Sequence, residues 1–240
     1  SINAVLNLDN FDLTIKGIRS FNVSNRRFVR VYPKEGTITV GKNRNMNFSG
    51  VVNAGRTEYF GSDLKFDYEK FAIQFEQMDT MRIRVYPFDT AAGLKQVRII
   101  SKLYDLKGEI RIDGEGNKSG KNKSMGDYPI LSVSNSPKIY YNQSEILNGV
   151  YPKETFYYEV EPFDMDSLLT FSSSGIVFSG VLYSADIFPP IEKDLVLKED
   201  FILGFSMKDV NETIYKSSGK YNDDLELSVQ GLTGNGKLRF

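Results

Sequence analysis

The chain has 240 residues, 40% hydrophobic and 25% charged, with 30 basic against 31 acidic side chains and a net charge of −1. That balance argues against a nucleic-acid binder, which carries a basic surplus to displace counterions. With no Cys and no His, the chain offers no disulfide, no thiolate nucleophile, no imidazole base and no ordinary zinc site.

The length suits one large β domain or two smaller ones. No apolar run approaches the roughly 20 residues a membrane helix needs, and residues 1–20 lack the basic start and apolar centre of a signal peptide. The aromatic residues are 14 Tyr and 17 Phe, types that pack well on a pleated, half-buried surface.

Taken in order, Ala4, Leu6 and Leu8 alternate, then Phe11, Leu13 and Ile15, giving two strands around a turn at Asp9-Asn10. Phe28–Tyr32 and Thr37–Val40 are strands separated by Pro33-Lys-Glu-Gly36, and Gly41–Asn45 is a basic turn. Met46-Asn-Phe-Ser-Gly-Val-Val-Asn-Ala-Gly55 follows, and the chain says it twice. Ile176-Val-Phe-Ser-Gly-Val-Leu-Tyr-Ser-Ala185 matches Phe48-Ser-Gly-Val51 with Phe178-Ser-Gly-Val181, 130 residues on. Leu64–Phe75 is likewise echoed by Leu195–Phe205, each an apolar strand, an acidic corner and a second strand opened by Phe.

Met81, Ile83 and Val85 alternate with Arg82, Arg84 and Tyr86. Leu94, Val97, Ile100 and Leu103 recur every third residue, compatible with a short helix over 91–104, although Ile99-Ile100 also suits a strand. Gly108–Asp113 is a strand. Residues 114–127 form a polar loop, the best candidate for mobility and for a boundary. Strands resume over Tyr128–Tyr141, Phe156–Val160, Leu168–Phe171 and Leu225–Val229. The last, Gly236–Phe240, stops at the final residue, as if the natural chain continued. The Pro residues of Val31-Tyr-Pro, Val85-Tyr-Pro, Val150-Tyr-Pro and Val160-Glu-Pro mark strand ends, because proline cannot donate to a ladder. The reading is all-β: repeated, mostly antiparallel, sandwich-like units, with a β-solenoid or open groove as the alternative. The units are expected at 1–113 and 128–240, with 114–127 between them.

Few motifs carry chemistry. Asp113-Gly-Glu-Gly-Asn-Lys-Ser119 spaces oxygens like a calcium loop, but Lys118 stands where Gly is required and Ser124 where a bidentate Glu is required, so a solvated turn is the simpler reading. Asp9 with Asp12, and Asp164 with Asp166, offer carboxylate pairs. A glycosidase needs such a pair across a cleft, whereas turns favour Asp anyway. Lys118, Lys121 and Lys123 form a small basic cluster. Gly231–Gly236 lacks the Lys-Ser/Thr ending of a phosphate loop. Tyr128, Tyr140, Tyr141, Tyr157 and Tyr158 are the candidate ligand surface, since a tyrosine ring packs on the apolar face of a pyranose. No catalytic, cofactor-binding or metal-ligating residue is assigned, and no cofactor is expected.

Asn47–Gly55, Asn117–Gly120, Phe163–Leu168 and Phe178–Pro189 resemble segments of very large uncharacterised proteins of Bacteroidetes. Asp79-Thr-Met81, Asp89-Thr-Ala91 and Asp166-Ser-Leu168 look like the O-glycosylation signal of exported proteins from that phylum. Apolar-x-Gly-x-apolar strands such as Leu232–Leu238 are similar in texture to AsmA/TamB envelope proteins, whose β grooves are implicated in lipid movement. Neither resemblance supplies a functional residue. Together they imply a periplasmic or cell-surface location.

The expected function is a non-enzymatic structural or interaction segment of a larger exported or cell-envelope protein. Its expected partners are neighbouring domains of the same polypeptide, with a glycan or an envelope protein also in view, and neither nucleic acid nor a membrane span. The alternatives are a carbohydrate-binding sandwich, marked by a row of outward tyrosines, and a lipid-carrying groove, marked by an open apolar face. A carboxylate hydrolase, marked by two acids across a cleft, ranks last.

Overall fold

In the computed structural model, which describes residues 3–88, 95–122 and 124–239, alternation in the sequence becomes alternation in burial. Met81, Ile83 and Val85 are fully excluded from solvent while Arg82 and Arg84 between them are half-exposed, the period-2 signature of a strand with one face on a core. No α-helix occurs among the described residues.

The strands are β1 (Ala4–Leu6), β2 (Leu13–Ile15), β3 (Phe21–Ser24), β4 (Val29–Pro33), β5 (Ile38–Val40), β6 (Met46–Ala54), β7 (Thr57–Asp67) and β8 (Ala72–Val85). They continue with β9 (Val97–Arg98), β10 (Leu103–Arg111), β11 (Ile130–Val133), β12 (Lys138–Tyr140), β13 (Phe156–Val160), β14 (Phe163–Met165), β15 (Val177–Phe178) and β16 (Gly180–Ser184). The last are β17 (Ile191–Glu192), β18 (Leu195–Leu197), β19 (Leu203–Ile214), β20 (Gly219–Ser228), β21 (Gly231–Gly234) and β22 (Lys237–Arg239). The sheets are antiparallel, so a sandwich-like all-β fold replaces the parallel solenoid alternative.

Two units share the chain. The first takes residues 1–83, 104–135 and 162–171; the second takes 84–103, 136–161 and 172–240. This interleaved division differs from the expected break at 114–127, which lies inside the first unit.

In the first unit the ladder runs β1–β2–β5–β6–β7–β8–β10–β11–β14, and the β3–β4 hairpin joins β6 separately. β6 is shared: Met46 and Asn47 pair with β5, whereas Gly50–Ala54 pair with β4. The sheet divides at Gly50, whose φ is +140° and where a Cβ would strike the Tyr32 carbonyl oxygen. Only glycine satisfies both conditions. Val31, Val52, Tyr59, Leu64, Met81 and Leu106 are completely buried here, each worth about 1.5–3 kcal/mol by transfer from water.

The second unit contains β12–β13–β16–β17 in one sheet and β15–β18–β19–β20–β21 in the other, with β22 also on β20. Phe156, Tyr158, Leu182, Leu195, Leu203 and Phe205 are 0–1% exposed. Two buried phenols bridge the sheets. The Tyr141 hydroxyl donates to Leu203 O at 3.0 Å, and the Tyr158 hydroxyl sits 3.0 Å from Phe178 O and 2.8 Å from Lys193 O. Burial pushes both hydroxyls above the ordinary tyrosine range, so they remain protonated donors.

The sequence echo is a register echo. Phe48 pairs with Leu64 and Phe178 with Leu195. Val31 pairs with Val52 as Tyr158 does with Leu182, and Tyr32 with Val51 as Glu159 does with Val181. The acidic corners match as well. Phe71 and Phe201 have φ of +52° and +63°, and their carbonyls accept from Ile112 N at 3.0 Å and Ile100 N at 2.8 Å. β3–β4–β6–β7–β8 thus corresponds to β12–β13–β15/β16–β17/β18–β19.

Three local expectations change. Leu168–Phe171 is a turn closed by Thr170 and Phe171 N–H on Ser167 O, and the strand lies earlier, as β14. Over 95–104 the chain is extended around β9 and the start of β10 rather than helical, and residues 91–94 fall outside the described residues. The 114–127 loop is fastened rather than loose. Arg27, 5% exposed and paired with Asp113 at 2.7 Å just before the loop, also donates through Nη2 to Met125 O at 2.6 Å, and Arg26 donates to Gly120 O.

Candidate functional site

The duplicated sheet gives each outward position a counterpart, which is how the site emerges. In the first unit the register places Asn22 beside Arg30 and Arg30 beside Asn53. In the second, the equivalent row is Tyr140 beside Tyr157 and Tyr157 beside Tyr183. All three tyrosines point away from Ile139, Tyr158 and Leu182, which fill the core, and all three are half-buried. The Tyr157 and Tyr183 rings stack at 5.0 Å with 28° between their planes, and the Lys138 ammonium lies 4.4 Å over Tyr157.

Tyr157 and Tyr183 of this row border a cavity of about 340 Å³ lined also by Glu154, Thr155, Asp186 and Pro190, with Ser184, Ala185 and Phe188 completing it. This last part is firmly built. Ser184 Oγ accepts from Phe188 N at 2.9 Å and donates to Phe188 O at 3.2 Å, and Ala185 N donates to Thr155 O at 2.9 Å. Ala185 and Asp186 both have positive φ, 54° and 60°, which turns the Asp186 carboxylate to the rim. There it meets the Lys216 ammonium at 2.8 Å, whose hydrogen bond and charge hold that lysine above its ordinary range.

Of the five tyrosines singled out by sequence, the structure keeps Tyr140 and Tyr157 together at this surface. Tyr141 and Tyr158 are fully buried and cannot face a ligand. They have the same parity as Ile139 and Phe156, so the pleat turns them inward. Tyr128 belongs to the first unit, where its ring lies 5.9 Å from the Arg27 guanidinium. Tyr183 was missed. The signal for it was its outward parity beside Leu182 in the second copy of the repeat.

The calcium reading of 113–119 fails on chemistry. Both Asp113 oxygens face Arg27, and Oδ1 also accepts from Gly114 N at 2.9 Å and Asn117 Nδ2 at 3.1 Å. Burial pushes this carboxyl up, but the bonds from Arg27, Asn117 and Gly114 and the Arg27 charge outweigh it and hold it below the ordinary carboxylate range. A cation would find Arg27 already there. No group of three or more carboxylates that could hold a metal occurs among the described residues.

The remaining candidates are dispersed. Asp9 and Asp12 are tied into the turn, with Asp9 N on Asn7 Oδ1 at 2.9 Å and Asn10 Nδ2 on Asp12 Oδ2 at 2.9 Å. Asp164 and Asp166 are exposed on and just beyond β14. Lys118 reaches Glu69 at 3.3 Å, Lys121 is exposed, and Lys123 lies outside the described residues. Thr80 is half-exposed within β8, Ser167 is half-buried at a turn, and 89–91 fall outside the described residues. Gly231–Gly234 is strand β21. A second, open cleft of about 570 Å³ in the first unit is lined by Lys34, Glu35, Thr37, Asn47, Ser49 and Asp63 among others. No helix is long and apolar enough to cross a membrane among the described residues. Comparison with family models, curated proteins and solved structures found no match.

Proposed function

We propose that this chain is a non-enzymatic β-repeat segment of a larger exported or cell-envelope protein, acting as an interaction surface. The observation that carries the reading is the duplication in register, with Phe48–Leu64 repeated as Phe178–Leu195. A unit copied with its pairing intact while its outward row changes chemistry is how repeat architectures vary a surface on a constant frame. The solvent-excluded apolar faces of both units favour this reading over a lipid-carrying groove, which needs an open apolar face. Glu154 and Asp186 do share a cavity, but both are exposed and Asp186 is engaged by Lys216. Neither has the buried apolar setting that a carboxylic general acid requires. Export rests on the resemblance to Bacteroidetes proteins.

The test is an immunoblot of fractionated source cells with an antibody raised against this chain. A band far above 27.2 kDa in the envelope fraction is the expected result. A band confined to the cytosol overturns the reading.

A further inference from the structure

We propose that the Tyr157–Tyr183 cavity is a binding site for a neutral, hydroxyl-rich saccharide. This rests on the interaction-segment reading and names the ligand class of its surface.

The first ground is that the first unit builds the corresponding sheet without such rings. At the same registers in the first unit the sheet is built with Asn22, Arg30 and Asn53 in place of Tyr140, Tyr157 and Tyr183. The inward positions Val29, Val31 and Val52 remain buried apolar or aromatic residues as Phe156, Tyr158 and Leu182, whereas the outward row changes from polar to aromatic.

The second ground is what the rings leave open. Tyr157 is enclosed between Tyr183 at 5.0 Å and the Lys138 ammonium at 4.4 Å. Tyr183 shares the cavity lining with Pro190, which precedes β17, the strand that pairs with β16 through Leu182 and Ile191. An apolar plate of this kind accepts the C–H face of a pyranose.

The third ground is the polar rim. The Tyr157 and Tyr183 hydroxyls, the Glu154 carboxylate and the Thr155 hydroxyl have no hydrogen-bond partner among the described residues. They offer donors and acceptors together, which is what sugar hydroxyls require. The charged residues that line the cavity, Glu154 and Asp186, are both acidic, while Lys138 is seated over Tyr157 and Lys216 on Asp186. A lining whose own charges are acidic disfavours uronates and other anions. An extended peptide finds less here, because β13 and β16 are paired on both sides and offer it no strand edge.

The test is native affinity electrophoresis of the whole chain in gels containing a soluble β-glucan, mannan or galactan, with polygalacturonate and poly-L-proline as contrasting probes. At least one neutral polysaccharide should retard the protein. Tyr183→Ala should weaken that retardation about tenfold or more, while Tyr183→Phe keeps the ring and most of the effect. Glu154→Arg, at an exposed and unpartnered side chain, blocks the rim without touching the core and should also abolish retardation, which covers the case in which Tyr183→Ala does not fold. Retardation by polygalacturonate or poly-L-proline alone, by no probe at all, or to an extent unchanged by Tyr183→Ala and Glu154→Arg, overturns the saccharide site. Release of reducing ends from a retarding polysaccharide keeps the site and overturns the non-enzymatic reading instead.

Discussion

The hairpin β6–β7 and its counterpart in the second unit begin from the same residues and end differently. In the first unit β6 runs unbroken through Ser49, absorbing the irregularity as a register shift between Phe48 and Gly50. In the second, the same Phe-Ser-Gly-Val is cut at Ser179. Phe178 pairs with Leu195 in one sheet, while Gly180 starts β16 against β13 in the other. Positions 31 and 158 differ in a matching way. Val31 is small and lies under a continuous strand. Tyr158 occupies the same register position, and its phenol reaches Phe178 O and Lys193 O on either side of the break. A long side chain with a donor at its tip serves the carbonyls that a broken hairpin withdraws from the ladder. The difference teaches that one repeat can serve once as a continuous sheet and once as two sheets bridged by an inward tyrosine.

The largest expected effect separates the units by their fastenings. The first unit holds its β3–β4 turn through the buried Arg27–Asp113 pair, with Arg27 Nη2 also 2.6 Å from Met125 O. The corresponding approach to β13 ends in the exposed Glu154. Arg27→Ala strands a buried carboxylate and should cost about 3–5 kcal/mol in urea unfolding, whereas Glu154→Ala should change stability by less than about 0.5 kcal/mol. Asp113 also gives the first unit an acid sensitivity. Its folded pKa lies below the unfolded value, so its contribution is fully present above the unfolded value and is lost as pH falls through the folded one. Asp113→Asn should therefore be weaker than the parent at neutral pH and lose less of its stability on acidification, as read by urea titrations across the acid range.

Next come the glycines that both copies retain. A Cβ at Gly50 would meet the Tyr32 carbonyl oxygen and one at Gly180 the Glu159 carbonyl oxygen, at φ of +140° and +156°. Gly50→Ala and Gly180→Ala should each cost at least roughly 1–3 kcal/mol from backbone strain alone. Equal losses in thermal unfolding support structural equivalence of the two sites. A neutral Gly180→Ala would show that the break at Ser179 has relieved the constraint.

These glycines were legible in the sequence, because Phe-Ser-Gly-Val occurs twice and alternation around it is clear. The strand set followed for the same reason: Met81, Ile83 and Val85 announce their face without help from the rest of the chain. Where reading failed, the missing information was pairing. Tyr140-Tyr141 and Tyr157-Tyr158 attract attention as doublets, yet a pleat must bury one of each, and Ile139 and Phe156 already indicated which. Tyr183 stands alone in sequence and gains its meaning only from lying opposite Tyr157, 26 residues earlier. Asp113 looked like the first ligand of a cation loop because Arg27, its actual partner, is 86 residues away. The interleaving of the units was equally hidden, since 162–171 returns to the first unit after the second has begun.

A smaller effect tests the bridge itself. Tyr158→Phe keeps the ring in its buried place and removes only the donor shared by Phe178 O and Lys193 O. It should cost about 1–2 kcal/mol by denaturant titration, and amide exchange should quicken at β15 and β18 before β6 and β7. Uniform quickening across both hairpins would mean that the two copies are held by something other than this side chain.

The smallest stability effect carries the most information about the surface. Tyr157→Arg combined with Tyr183→Asn rewrites the outward row of the second unit as that of the first, where Arg30 and Asn53 sit in the same pairing. Because the first unit already builds this sheet with those side chains, the double variant should lose no more than the stacking energy, about 0.5–1.5 kcal/mol. Tyr157 and Tyr183 would then be expendable to folding. A loss of several kcal/mol would instead make the rings part of what holds β13 to β16, and the second unit would need its aromatic row for the same reason that it needs Tyr158, as packing peculiar to a copy whose hairpin is broken.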